Sequence, residues 1–479
     1  MSSSVAPVSN SLGESLTVVV PAPARVRTVT VVVAASVLAS LDLFIVNLSF
    51  SSISASFPGA TPQALSWVLN AYAVAFAALL IPSGRLADRL GRKRLFRVGM
   101  LAFAIGSAGS AAAPEVVTLI VARGVQGAGA ALMVPTSLAL LLAAFPKSRH
   151  KQMVSIWAAT GSVAATAGPV LGGLLTQLDW RLIFLINLPI AIPALILAAR
   201  LTETPRSKTP YPDLFGSALL ALGVGALVTA ISYVTDWGPA SPWFWGLILL
   251  SACALAWFAR RCLTRAAPAV DLGIFRFASL RMATIGMASF YIAFAIMLLG
   301  SSIFLQDVWQ WTPAAAGLAL AAGPATAIIA SLLAGKLPLV PRTLVSVGGF
   351  LYIATCVLWA LLLTDAEAYA AVFLPGMILT GAGAGFAQTG FLTAATADIP
   401  DTAHATGTGI VNTSRQIGGA IGVALLIALT QTGTDAEDYT IAWIVMGAAG
   451  LLATLTGVTM RSAKHAPDTG DAHWPSRTP

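Results

Sequence analysis

Apolar runs of roughly 20 residues, each bounded by a short polar turn, recur along the chain from residue 28 to residue 460. A helix rises about 1.5 Å per residue, so one such run matches the roughly 30 Å of hydrocarbon in a bilayer. In lipid the backbone polar groups must be satisfied within the segment or within a closed barrel, and runs this long predict helices. They lie near 28–52, 65–87, 95–113, 116–145, 152–177, 182–200, 214–235, 243–260, 281–305, 313–335, 343–364, 369–396, 404–431 and 439–460, which makes fourteen. A soluble domain carries about 25% charged residues. This chain has 10%, too few to coat a water-facing surface.

The charges between the runs test that count. With both tails on the cytosolic side, the inner loops hold Arg89, Arg92, Lys93, Arg94, Lys147, Arg149, Lys151, Arg206, Lys208, Arg260, Arg261, Arg265, Arg276, Lys336 and Arg342. The outer loops hold Glu115, Asp179, Asp236, Asp307, Asp365, Glu367, Asp435, Glu437 and Asp438, with Arg181 their only base. This alternation is the one expected of a polytopic protein, and it accounts for the net charge of +8 without nucleic acid. Cys253, Cys262 and Cys356 are dispersed among apolar residues and form neither a disulfide framework nor a metal site. The chain contains no G-x-x-x-x-G-K-[ST] loop, which excludes an ATP-driven pump built on that motif.

The two halves echo each other in order, as a duplicated bundle would. Gly84-Arg85-Leu86 is echoed by Gly335-Lys336-Leu337, Gly127-Ala128-Gly129-Ala130 by Gly381-Ala382-Gly383-Ala384, and Gly168 to Gly173 by Gly418 to Gly422. The expected fold is an all-α polytopic membrane protein with two six-helix bundles, 28–202 and 266–461, joined by two linking helices in 203–265. Cytosolic tails are expected at 1–27 and 462–479.

Ionisable groups within a bilayer are costly and commonly functional. Asp42 lies inside the first run, Arg123 inside the fourth and Arg415 inside the thirteenth. Counting from Arg27, Asp42 stands about 22 Å up the first helix, or about 8 Å below the outer boundary of the hydrocarbon. Counting from Glu115, Arg123 lies about 12 Å below that boundary. The two can meet. Burial opposes the charge on Asp42 and Arg123 favours it, leaving a carboxyl group able to exchange protons when the pair opens. A purely structural ion pair is the competing reading. Arg415 either lines a central cavity or caps a helix near the inner gate.

The turn Gly84 to Arg94 includes Asp88, Arg89, Gly91, Arg92 and Lys93, and its glycines permit a tight bend. Gly161, Gly168, Pro169, Gly172 and Gly173 share the fifth run, where small residues and a proline suit close packing or a hinge. Trp67, Asn70, Tyr72, Gln126, Phe290 and Tyr291 mix aromatic faces with polar groups and are candidates to line a cavity, with lipid-facing or interfacial anchoring as the alternative for each aromatic.

These residues resemble the motifs of the major facilitator superfamily. The turn at 84–94 looks like its signature between the second and third helices, and Arg123 to Gly129 resembles its fourth-helix motif. Gly168 to Gly173 resembles the fifth-helix motif of its drug/proton antiporters. Asp42 with Asn47, Trp180-Arg181, Phe184, Asn187 and Gly409 to Gly422 are similar to its fourteen-span branch. The resemblance implies a plasma-membrane exporter of small organic compounds, with no enzymatic activity and no cofactor. It would work by alternating access, driven by proton entry and functional as a monomer. Asp42 would be the protonation site and Arg123 its partner. Asp88, Arg89, Arg92 and Lys93 would lock the inner gate, the fifth-helix glycines would form the bundle interface, and Asn47 and Arg415 would join the cavity residues. The chain departs from the family at Phe44 and at Leu48-Ser49-Phe50, both beside the expected cavity. Proton-coupled uptake is a second reading, and a non-transporting receptor or scaffold a third.

Overall fold

The computed structural model describes residues 22–203, 206, 210–400, 403–430 and 434–460, and every regular element among them is helical. The tails, apart from residues 22–27, and Lys208 lie outside the described residues. The chain runs through α1 (Ala22–Leu48), α2 (Phe50–Ser56), α3 (Pro62–Leu90), α4 (Arg92–Ala111), α5 (Val116–Ala144), α6 (His150–Leu178), α7 (Leu182–Leu185) and α8 (Leu188–Ala198). It continues through α9 (Leu214–Trp237), α10 (Pro242–Thr264), α11 (Ala278–Ile303), α12 (Pro313–Leu320), α13 (Ala322–Lys336), α14 (Pro341–Leu362), α15 (Leu374–Ala397), α16 (His404–Leu429) and α17 (Thr440–Thr459). The first helix thus takes in residues 22–27, which had been expected in the tail.

Helix starts follow local chemistry. Thr61, Ser241 and Thr312 each precede a proline and accept a backbone N–H of the first turn, combining a side-chain cap with a residue whose missing donor is harmless there. The expected run at 313–335 divides into α12 and α13 at Ala321, just before Gly323-Pro324. There the proline removes an interior donor.

Twelve helices among the described residues are long and apolar enough to cross a membrane, not the fourteen expected. The two that differ are α4, whose first turns carry Arg92, Lys93, Arg94 and Arg97, and the Leu182–Ala198 segment. That segment is short, breaks between Leu185 and Leu188, and contains Pro193.

Glycines set which helices touch. A Cβ on Gly129 would collide with the Phe103 backbone of α4, and one on Gly127 with the Tyr72 carbonyl of α3. The echoed positions behave alike, since Gly383 meets Gly348 of α14 and Gly381 meets Gly323 of α13. Gly168 and Gly172 pack on Phe44 and Ile45 of α1, while Gly418 and Gly422 pack on the Ala288 and Ile292 carbonyls of α11. Between the two groups of helices, Gly173 abuts the Pro313 carbonyl and Gly317 the Pro169 carbonyl, so α6 lies directly against α12. On the other side α16 approaches α3, with Gly409 near Ile81. The helices α9 and α10 pair antiparallel, with Leu255 over Gly223. Asp213 and Arg261 close one end of that pair through two hydrogen bonds of 2.7 and 2.8 Å. The Arg261 guanidinium holds Asp213 below the usual carboxylate range.

The break between α3 and α4 falls at Gly91, whose φ is +102°. Glu203 lies against it and accepts the Lys93 N–H at 3.1 Å, capping α4 with a negative charge. A Cβ on Gly91 would sit 2.8 Å from the Glu203 carboxylate. Gly91→Ala is expected to destabilise the protein by about 1–2 kcal/mol through the backbone conformation alone, read as a lower thermal midpoint in detergent. Adding Glu203→Ala relieves the crowding but leaves that backbone cost, so recovery to the wild-type midpoint would refute this account of the turn.

Candidate functional site

Asp42 and Arg123 are 1% and 2% exposed, and Arg123 Nη1 donates to Asp42 Oδ2 at 2.7 Å. Arg123 and Gln126 sit three residues apart on α5 and so share a face. Nη1 of Arg123 also donates to Gln126 Oε1 at 2.7 Å, and Gln126 Nε2 donates to Asp42 Oδ1 at 2.8 Å. Both carboxylate oxygens are therefore occupied by donors, the arrangement of an ionised acid. Arg123 Nε donates to the Val68 carbonyl at 3.0 Å, and its guanidinium carbon lies 4.6 Å from the centre of the Tyr72 ring. The bare backbone at Gly127 lets α3 come this close. On the far side Ser107 accepts from Asn187 Nδ2 at 2.9 Å and donates to the Phe184 carbonyl at 2.8 Å, while Gln126 Nε2 lies 3.4 Å from it. Four helices and the α7–α8 break thus converge on one carboxylate.

Beside this cluster runs a cavity of about 990 Å³ between the two groups of helices. Leu43 and Phe44, next to Asp42 in sequence, line it, as does Tyr72. It reaches the loop end marked by Gly84, Asp88 and Arg92, where Asp88 and Arg92 are more than a third exposed. At the opposite end the helices are joined. Ser302 donates to the Asn47 carbonyl at 3.0 Å, Gln306 donates to the Leu48 carbonyl at 3.1 Å, and Gly173 meets Pro313. The cavity is open at one end and closed at the other.

The structure sorts the expected cavity residues. Tyr72, Tyr291 and Arg415 line it; Gly161, expected at the bundle interface, also lines it, with Ser36 and Ser40 of α1 nearby. Gln126 does not, because its amide is consumed by Asp42 and Arg123. Asn47 turns back on its own helix, donating to the Leu43 carbonyl at 2.7 Å. Trp67 packs outward toward Gly225 of α9. Asn70 is fully buried away from the cavity. Phe290 packs edge-on against Tyr352 and tilted against Phe391 within the second group of helices.

In the turn between α3 and α4, Asp88 pairs with Arg92 at 3.0 Å within its own turn rather than across the gap, and Arg89 lies 3.7 Å over the Tyr211 ring. Arg85 reaches the Pro268 carbonyl at 2.6 Å. Gly168, Pro169, Gly172 and Gly173 lie at the contacts of α6 with α1 and α12. The sequence reading passed over Ser107, Glu203 and the Asp213–Arg261 pair. Ser107 follows Gly106 in α4, where a small residue beside a buried polar one could have marked the packing on Gln126.

Comparison with known proteins bears on what such a cavity serves. The multidrug resistance protein Stp of Mycobacterium tuberculosis is 35% identical over 81% of this chain and 72% of its own length. The cephamycin export protein CmcT of Amycolatopsis lactamdurans is 31% identical, over 84% of each chain. The puromycin resistance protein pur8 of Streptomyces alboniger is 33% identical over 87% of this chain and 84% of its own. A peptide transporter solved in complex with sulfate matches with a TM-score of 0.65 at 17% identity, covering 90% of this chain and 92% of its own. The xylose transporter XylE from E. coli matches with a TM-score of 0.63 at 12% identity, covering 91% of this chain and 97% of its own. At those identities the likeness concerns the fold. The family model of the Major Facilitator Superfamily matches residues 32–423 and 283–474. The chain is a multi-pass membrane transporter and not an enzyme, and it belongs to the Major Facilitator Superfamily.

Proposed function

We propose that this transporter exports small organic compounds from the cytoplasm in exchange for protons, with Asp42 as the protonation site and Arg123 as the partner that competes with the proton. The observation that carries the reading is the buried carboxylate with both oxygens occupied, set directly behind the wall of a cavity open at one end. Protonating Asp42 removes its charge and turns one oxygen into a donor, which breaks the contact with Arg123 or Gln126. Arg123 also rests on Tyr72, whose side chain is cavity wall. The proton and the cavity therefore act on the same guanidinium. A drug-like molecule fits a cavity of this size, and the relatives above are named for export and for drug or antibiotic resistance.

The orientation follows from the basic loops, which favour the cytosolic face. On that rule the open mouth faces inward and both termini lie in the cytoplasm, as the proposed direction of transport requires. Two features of the packing support fourteen crossings as our proposed count. Helix α4 has 20 residues, about 30 Å, and runs antiparallel to α5, with Gly99 at Gly129 and Gly109 at Ala122. The Leu182–Ala198 segment runs from the level of Ser107, which bonds the Phe184 carbonyl, to the foot of α1, where Arg27 bonds the Arg200 carbonyl. The division into 28–202, 203–265 and 266–461 accompanies this count. The cavity is complete within one chain, in keeping with a functional monomer, and the cycle calls for no cofactor beyond the proton gradient.

The test is accumulation of a panel of antibiotics and dyes in cells stripped of their own exporters. Expression should lower accumulation of at least one compound, and a protonophore should abolish the difference. Export that survives the protonophore, or uptake in place of export, would overturn the reading.

A further inference from the structure

Arg123 and Arg415 are the two arginines set deep among the helices, and their surroundings differ. Arg123 has a carboxylate, an amide and a carbonyl as partners. Arg415, eleven residues from His404 and so about 16 Å along α16, forms no ion pair or hydrogen bond among the described residues. Its Nε is buried without a partner, and its guanidinium carbon lies 5.4 Å from the centre of the Tyr291 ring. Arg415 lines the cavity, together with Asn412 on the preceding turn of α16. The other charged lining residues, Arg85, Asp88, Arg92 and Asp271, come from the loops and helix ends at the open mouth. Asp88 is engaged by Arg92, and Asp271 Oδ1 accepts the Gly273 N–H. The deep part of the cavity therefore carries one unneutralised positive charge. Asp42 does not line the cavity and is already shared by two donors.

An uncompensated cation in a membrane interior is unfavourable unless function supplies its partner. A guanidinium presents paired donors that match a carboxylate or another oxyanion. The nearby walls are aromatic, with Tyr291 5.1 Å from Phe294 and Tyr72 stacked on Phe76, which suits an apolar body joined to the anion. We infer that Arg415 is a substrate-anion receptor, and that the cavity takes amphiphilic organic anions, a carboxylate on an aromatic or aliphatic body, in preference to lipophilic cations. The inference rests on the cavity being the substrate path proposed above.

Binding to the purified full-length protein in detergent tests it without requiring transport. Three fluorescent probes share one dansyl body and end in a carboxylate (dansyl-glycine), a neutral amide (dansyl-glycinamide) or a quaternary ammonium. Dansyl-glycine should bind at least about tenfold more tightly than the amide, the increment of a charge-assisted hydrogen bond. Arg415→Gln should erase that ratio, and Arg415→Lys should retain part of it. Tightest binding of the ammonium probe by the wild type, equal binding of carboxylate and amide, or an unchanged ratio in Arg415→Gln would overturn the inference. The wild-type ratio decides the matter even if a variant fails to fold. Carboxylate preference in detergent with no export from cells would uphold the anion site and sink the export reading. Protonophore-sensitive export of a cationic dye, with the ammonium probe bound best, would do the reverse.

Discussion

Asp42→Asn is expected to reduce export to the background of cells lacking the transporter. Asparagine keeps the shape of the side chain but has one acceptor where the carboxylate has two. Either Arg123 or the Gln126 amide must then face a donor in a space from which water is excluded. Breaking a buried pair by removing one charge costs about 3–5 kcal/mol, so the variant should also unfold at lower temperature. A structural ion pair would predict the same two losses, and the double variant separates the readings. Asp42→Asn with Arg123→Gln removes both charges, and stability should largely return. Export should not, because nothing remains to carry the proton. A double variant that regained transport would reduce the pair to scaffolding.

Gly173 carries the second large effect. The Pro313 carbonyl occupies the space of any side chain there, and the reciprocal contact of Gly317 on Pro169 lies one helical turn away. Both neighbours are backbone, so neither can swing aside. Overpacking of this kind costs about 1–3 kcal/mol. That cost falls on the state in which α6 and α12 touch, so Gly173→Leu should shift the balance away from closure at that end by about fivefold to 150-fold. With Ser302→Cys as reporter, placed where Ser302 now bonds the Asn47 carbonyl, the thiol should be shielded in the wild-type background. It should react with an impermeant maleimide when Gly173→Leu is added. Gly161→Ala is the control, because its neighbours are the Ser40 and Ser36 hydroxyls at 3.1 and 3.3 Å, and these can rotate. Equal labelling in all three backgrounds would remove α6–α12 contact from the closing device.

The membrane class, the helices and the meeting of Asp42 with Arg123 were legible because each rests on one-dimensional arithmetic: run length, loop charge and rise per residue. Which face of a helix looks into the cavity was not. In a bilayer both the lipid-facing and the protein-facing sides are apolar, so Trp67, Asn70 and Phe290 carry no periodic signal that separates cavity wall from packing. Gln126 was assigned to the cavity because its two bonds depend on α1 and on a tilt set by Gly106 and Gly127. Glu203 and Asp213 were missed as polar loop residues, although each caps a helix. The count differed at α4 and at the Leu182–Ala198 segment because charge, brevity and proline lower their apolar content.

Infrared difference spectroscopy of the purified transporter, recorded on acidification, reads the central group directly and needs no substrate. The wild type should gain the carbonyl band of a carboxylic acid in an apolar setting as the pH falls, and that band should be missing from Asp42→Asn. Identical spectra from the two proteins would mean that the proton is carried elsewhere.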